Sequence, residues 1–357
     1  MALDANYQIV SLLDFSNLQW NRKYHEAGSF SIQIPLWLYS PNMMYIYTKD
    51  RPELGRVSQL NYIDDGKGKR IQLSGYFEEK DLDRHIVYPP GTSNIANPVS
   101  WIEQSGSAEK VAYAFFNAFK TISTSAVSSI LNIGALDSQN RGKTAVHTRN
   151  GEQLGKKIYN VLKPSGMSYR VLFDFVNNTK NFEVWSGLDR TDTNTDGNNP
   201  IVFSTKYGNI KNLNVLISTT DYKNACIVTH EQQVDETSVF TTRAVHDLKY
   251  AGEEVRFTFL KSSLKKDEYS ESGFLVAIDN EAHNEIGEHP EVFNVDFDAL
   301  EGSYEYMVDF DLGDKCSIEI PEIGLSLQAR LIACYEVMKS GKWTMEMEFG
   351  TPIIIRK

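Results

Sequence analysis

Cysteine is scarce: the 357 residues hold three, Cys226, Cys316 and Cys334, far apart in the chain. No CxxC pair occurs and the count is odd, which excludes a disulfide framework and leaves three reduced, buried thiols as the expectation. Long apolar runs are missing too. No stretch approaches the ~20 apolar residues that span a bilayer. The opening MALDANYQIVSLLD has no basic segment and puts Asp4 ahead of a short apolar run, so no signal peptide is expected. Cationic excess is absent: 36 Lys and Arg against 47 Asp and Glu give −11. That balance excludes a protein gripping phosphate backbones over a broad surface.

Aromatics are plentiful, with 18 Tyr, 18 Phe and 5 Trp, and they suit half-buried sheets. The first ninety-odd residues read as strands. Phe30 to Ile34 alternates cleanly and stops at Pro35. Val57 to Ile63 and Ile71 to Phe77 flank Asp64-Asp65-Gly66-Lys67-Gly68-Lys69, a hairpin signal. Arg84 to Tyr88 reads as a further strand running into Pro89-Pro90-Gly91, a boundary. The period then becomes helical. Ser107 caps a helix carrying Val111, Phe115, Ala118, Phe119 and Ile122, and a second helix starts near Asn150 with Leu154, Ile158, Val161 and Leu162. Strand patterning returns at Leu213–Ile217, Ala225–Thr229 and Val239–Arg243, a helix is expected over Phe274–Ile286, and Tyr304 to Ile355 reads as strands.

An internal echo runs between the two ends. Ser31-Ile32-Gln33-Ile34-Pro35 matches Ser317-Ile318-Glu319-Ile320-Pro321, and Gly55-Arg56-Val57 matches Ala329-Arg330-Leu331. Gly-Lys turns (Gly68-Lys69 and Gly341-Lys342) and later glycines (Gly75 and Gly350) follow in each. Either two hairpins merely look alike, or the chain holds two copies of one small β-barrel.

Signatures of chemistry fail one by one. Asp192, Asn194 and Asp196 with Gly197 open like a calcium loop, which would make a calcium-dependent adhesin, but position twelve is Phe203 where a bidentate Glu belongs. His283 and His289 lie among Glu281, Glu285 and Glu288 without a zinc spacing. Ser262-Ser263-Leu264-Lys265 lacks the companion motifs of an acyl-transfer enzyme, and no phosphate-binding glycine loop is present. No catalytic, cofactor-binding or metal-ligating residue is nominated.

Leu18-Gln19-Trp20-Asn21-Arg22-Lys23-Tyr24, followed by Gly28-Ser29-Phe30 and an alternating strand, resembles the opening of the tail-hub proteins of long-tailed bacteriophages. Gly55-Arg56-Val57, Leu73 to Tyr76, Leu82 to Ile86, Gly187-Leu188-Asp189-Arg190-Thr191 and Val202-Phe203-Ser204 are similar to later parts of that family. So is Asp309-Phe310-Asp311-Leu312-Gly313-Asp314. The resemblance implies a mainly β fold with α+β insertions and two tail-tube-like β-barrels. The expected domains are a first barrel over 1–97, an α+β domain over 98–205, the second barrel split between 206–254 and 304–357, and a charged insertion over 255–303.

It further implies a structural, non-enzymatic subunit of a tail tip or baseplate, made in a bacterial host cytoplasm and carried in a virion or tail-like particle. Three copies would form a ring passing DNA without specific binding. Implied partners are the chain itself as a homotrimer, a tail-tube or distal tail protein on one side, a spike, fibre or tip protein on the other, and the tape-measure protein. The chain ends at Lys357 directly after the last expected barrel strand, which leaves no room for a wall-cleaving extension. The alternative is a carbohydrate-active protein, a glycoside hydrolase or wall-binding module, for which aromatic and carboxylate richness would serve.

Overall fold

The computed structural model describes residues 1–66, 68–87, 103–120, 132–136, 138–148, 151–234, 236–299, 303–339 and 341–354. The expected boundary at Pro89-Pro90-Gly91, Ile122 and the expected helix start at Asn150 lie outside them. The fold is mainly β with α+β insertions. No helix among the described residues is long and apolar enough to cross a membrane.

The first module holds β1 (Ala2–Leu3), β2 (Ile9–Ser11), β3 (Asn17–Lys23), β4 (Ser29–Pro35), β5 (Tyr45–Tyr47), β6 (Leu54–Asp64) and β7 (Lys69–Phe77). Period-two alternation sends Leu18, Trp20, Phe30, Ile32, Ile34, Ile71 and Leu73 into one core. The strand expected at Arg84–Tyr88 does not form. Glu78–Arg84 is a 3-10 helix, and Leu82 and Val87 anchor the chain in the next core.

That core belongs to an α+β body of β8 (Glu103–Ser107), α1 (Ala108–Lys120), β9 (Ile133–Ala135), β10 (Thr144–Thr148), α2 (Leu154–Leu162), β11 (Ser168–Asp174) and β12 (Thr179–Trp185). The Ser107 hydroxyl caps α1, accepting from the Lys110 amide at 3.3 Å. The apolar stripes of both helices close on Val171, Phe182 and Val184.

The second module begins with β13 (Asp189–Arg190), β14 (Val202–Ser204) and β15 (Ile210–Ser218). An insertion follows: β16 (Ala225–Val234), β17 (Thr237–His246), β18 (Phe257–Ser262) and α3 (Glu271–Glu288), which Ser270 caps. The module resumes with β19 (Val292–Ala299), β20 (Lys315–Ile320), β21 (Leu325–Lys339) and β22 (Lys342–Ile354). The strands around 225–246, expected in the second barrel, pair instead with β18 and bury Cys226, Val228 and Val245 against α3. Tyr304 to Asp314 is loop rather than strand: Met307 has φ 68° and the Asp309 carboxylate holds the Glu305 amide at 2.7 Å.

One 14-stranded sheet unites the modules, with a main path β15-β19-β22-β21-β3-β4-β7-β6-β5-β1-β2. Neither module closes on itself among the described pairings, so the two expected barrels are two open modules side by side. Their topologies agree. The antiparallel run β3-β4-β7-β6-β5 repeats as β15-β19-β22-β21-β20.

The registers agree as well. A bulge at Ser58 sits between Val57 opposite Gly75 and Gln59 opposite Ser74. A bulge at Ile332 sits between Leu331 opposite Phe349 and Ala333 opposite Glu348. Arg56 faces Tyr45 on β5, and Arg330 faces Lys315 on β20. Carrying these pairings across the sheet equates Phe30 with Val295, Ile32 with Phe297 and Trp20 with Val215, all turned towards the cores. The echo at Gly55-Arg56-Val57 is therefore a true correspondence. The Ser31–Pro35 match is not, because β4 corresponds to β19 while Ser317 lies on β20. The flanks differ: β1 runs antiparallel to β5, whereas β13 and β14 run parallel to β20.

Candidate functional site

β21 is long enough to serve both modules. Its first half pairs with β20; its second half pairs with β3, from Ala333 opposite Lys23 to Lys339 opposite Asn17. The bulge at Ile332 shifts the alternation by one. Before it, Leu327, Ala329 and Leu331 fill the second core; after it, Cys334 and Glu336 turn to the seam beside Arg22 and Trp20.

The seam is built by the stretches that carry the resemblance. Arg22, 2% exposed, donates to Glu53 Oε1 at 2.7 Å, to Asp311 Oδ1 at 2.7 Å and to the Tyr306 hydroxyl at 2.5 Å. Burial works against its charge, but Glu53, Tyr306 and Asp311 offset that and raise its pKa well above the ordinary value. Arg51 pairs with the buried Glu336 from the same side. Tyr24 donates to the Gly166 carbonyl at 2.9 Å, and its ring lies where a Gly313 Cβ would stand. Gly313, with φ 88°, fits only as glycine. Asp314 accepts from the Leu188 amide at 2.7 Å and Arg190 Nε at 2.8 Å, tying in the Gly187–Thr191 stretch.

A second polar anchor joins the first module to the α+β body. Glu78 and Lys180 form a buried ion pair. Glu79 accepts from the Val171 amide at 3.0 Å, and burial pushes its carboxyl up to about 7.

Beside the seam lies a cleft of about 1030 Å³, lined in part by Asp50, Arg51, Tyr304, Tyr306, Glu336 and Trp343. Its carboxylates are largely engaged: Glu336 with Arg51, Asp309 with the Glu305 amide, and Asp298 with Asn212 at 2.7 Å. The rejected motifs also have structural partners. Asp192 and Ser317 bond each other, Asn194 ties Thr191 to Asn198, and Phe203 at position twelve is core. His283 meets Asp247 at 2.8 Å, and the Ser262 hydroxyl donates to Glu281. No metal-holding group of His, Cys, Asp or Glu occurs among the described residues. The three cysteines are free and buried.

The face of the first module opposite its core carries an uncharged polar row across four strands, with Lys23 and Arg70 further along the same face. Gln19, Ser31, Ser74 and Gln59 stand side by side across β3, β4, β7 and β6. Gln72 Nε2 donates to Ser31 at 2.9 Å, and the Ser74 hydroxyl to Gln59 at 3.3 Å. Sequence reasoning missed the seam's partners Arg51, Glu53 and Glu336, because no local pattern marks contacts 31 residues apart (Arg22 with Glu53) or 285 apart (Arg51 with Glu336).

No curated protein matches the chain. Solved structures of phage tail proteins share its fold. The 43 kDa tail protein of prophage MuSo2 from Shewanella oneidensis superposes with a TM-score of 0.60 at 9% identity, covering 94% of each chain. A tail protein from Neisseria meningitidis MC58 gives 0.54 at 11% identity over 94% of this chain and 92% of that one. Prophage tail protein gp18 from Listeria monocytogenes EGD-e gives 0.54 at 11% over 97% and 93%. The family model described as Siphovirus ReqiPepy6 Gp37-like protein matches residues 2–351. The chain therefore belongs to the siphovirus ReqiPepy6 Gp37-like family and has the fold of phage tail proteins.

Proposed function

We propose that this protein is a structural hub subunit of a phage tail tip or baseplate, three copies of which form a ring that continues the tail tube. The domains are a first module, an α+β body, and a second module split by the charged insertion. The observation that carries the reading is the repeated topology: two like modules stand side by side in one open sheet, so three chains supply six similar units around a ring. Open edges in such a sheet demand a neighbour. A head-to-tail contact whose rotation closes generates a cyclic ring.

The uncharged row Gln19, Ser31, Ser74 and Gln59 suits the inner wall. DNA sliding past it meets hydrogen-bonding groups but few cations to hold its phosphates, and the tape-measure protein passes the same way. A tube protein on one side and a tip, spike or fibre protein on the other complete the assembly. The role is not catalytic; the engaged carboxylates of the cleft support that. Light scattering of the purified chain, with electron micrographs of the same sample, tests the reading. Three chain masses and a ring with a central hole are expected. A monomer at every concentration would refute it.

A further inference from the structure

We infer that the ring closes by pairing β6 of one copy with β15 of the next, in the register that β21 and β3 already adopt within each chain. The inference rests on the ring reading above and supplies its contact. Within the chain the second module's β21 pairs with the first module's β3. By the correspondence of the modules, β6 stands where β21 stands and β15 where β3 stands. The matching contact, β6 with β15, is not made within the chain. β5 covers only Leu54–Arg56 of β6, and β15 pairs only with β19 among the described residues. Each chain thus presents one half of the contact at either end, and only another copy brings the halves together.

The bulges set the register. Ser58 equates with Ile332, so Leu60 corresponds to Cys334 and Tyr62 to Glu336. Trp20 equates with Val215, so Arg22 corresponds to Ile217. Cys334 faces Arg22 and Glu336 faces Trp20 in the seam. Transferred, Leu60 faces Ile217 of the next copy and Tyr62 faces its Val215, both pairs turned inward. Asn61 faces Leu216, and Ile63 faces Asn214, on the outer face.

The side chains fit this pairing. Leu60 is 45% exposed, Tyr62 49% and Ile217 44%, all on strand edges that a monomer leaves open. Strand addition satisfies those edges' free amides and carbonyls and brings the apolar side chains out of water. The chain's own seam is held by the Arg22 ion cluster, whereas this one is apolar, so its two strands part and re-form without stranding a buried charge.

The test is disulfide trapping. Asn61→Cys combined with Leu216→Cys should cross-link oxidised protein into covalent species of two and three chains, because facing residues lie within disulfide reach. Asn61→Cys with Ser218→Cys is displaced along the strand and should cross-link at least tenfold less. Leu60→Lys, at a site exposed in the single chain, should leave thermal unfolding of the monomer unchanged and weaken self-association at least tenfold. A trimer by light scattering that fails to cross-link, or that cross-links better through Ser218, overturns the pairing and leaves the ring standing. A wild-type chain that never associates overturns both.

Discussion

Arg22 binds Glu53 of its own module and Asp311 and Tyr306 of the other, with almost no access to water. Removing one member of such a cluster strands the rest. Arg22→Ala is expected to cost about 3–5 kcal/mol in urea unfolding, because Glu53 stays buried without its cation. Arg22→Ala with Glu53→Gln should recover part of that loss; if the double variant is no better, the ion pair is not what holds the seam.

Glu79 carries a pH signature of its own. Its carboxyl is raised in the folded state by burial and titrates at about 7, above the ordinary 4.5. The folded state therefore holds its proton more tightly. The associated stabilisation is present at low pH, falls as pH rises from about 4.5 to about 7, and is gone above. Glu79→Gln should change the unfolding free energy measured in urea little at pH 5 and raise it at pH 8, by on the order of 1–3 kcal/mol. Equal effects at both pH values would contradict the assignment. His25 works in the opposite sense. Burial lowers its pKa from 6.5 to about 4, so stability present above 6.5 drains away as pH falls towards 4.

At the scale of elements, hairpins and amphipathic helices were legible in the sequence because their information is local. Alternation in Phe30–Ile34, the glycines around Lys69 and the stripe of α1 each act within a dozen residues. The seam was not legible, since Arg22 and Asp311 meet only after two modules have folded. The echo was legible in part. Arg56 and Arg330 do correspond, but a pentapeptide match drew β4 onto β20, because two alternating strands look alike whatever their place in a sheet. The bulges decide the matter, and they leave no sequence mark beyond nearby small residues. At Gly75 an added Cβ would fall on the Arg56 carbonyl oxygen, beside the Ser58 bulge. Gly75→Ala should therefore cost about 2–4 kcal/mol, as overpacking against backbone does. Gly66→Ala meets open space at φ 79° and should cost only about 1–2 kcal/mol. Similar urea midpoints for the two variants would deny the bulge its role.

For the whole molecule, one sheet spans two modules, an α+β body braces the first through Glu78 and Lys180, and a sheet-and-helix insertion leaves the second. The build of this phage tail protein leaves sheet edges open among the described pairings. The claim on which the rest turns is that its modules alternate around an open channel. An electron cryo-microscopy reconstruction of the purified assembly measures that directly. The account predicts three copies, six modules of one topology in alternation, and the Gln19, Ser31, Ser74 and Gln59 row on the wall of a central hole. A particle without a hole, or one in which that row is covered by a neighbouring subunit, would contradict it.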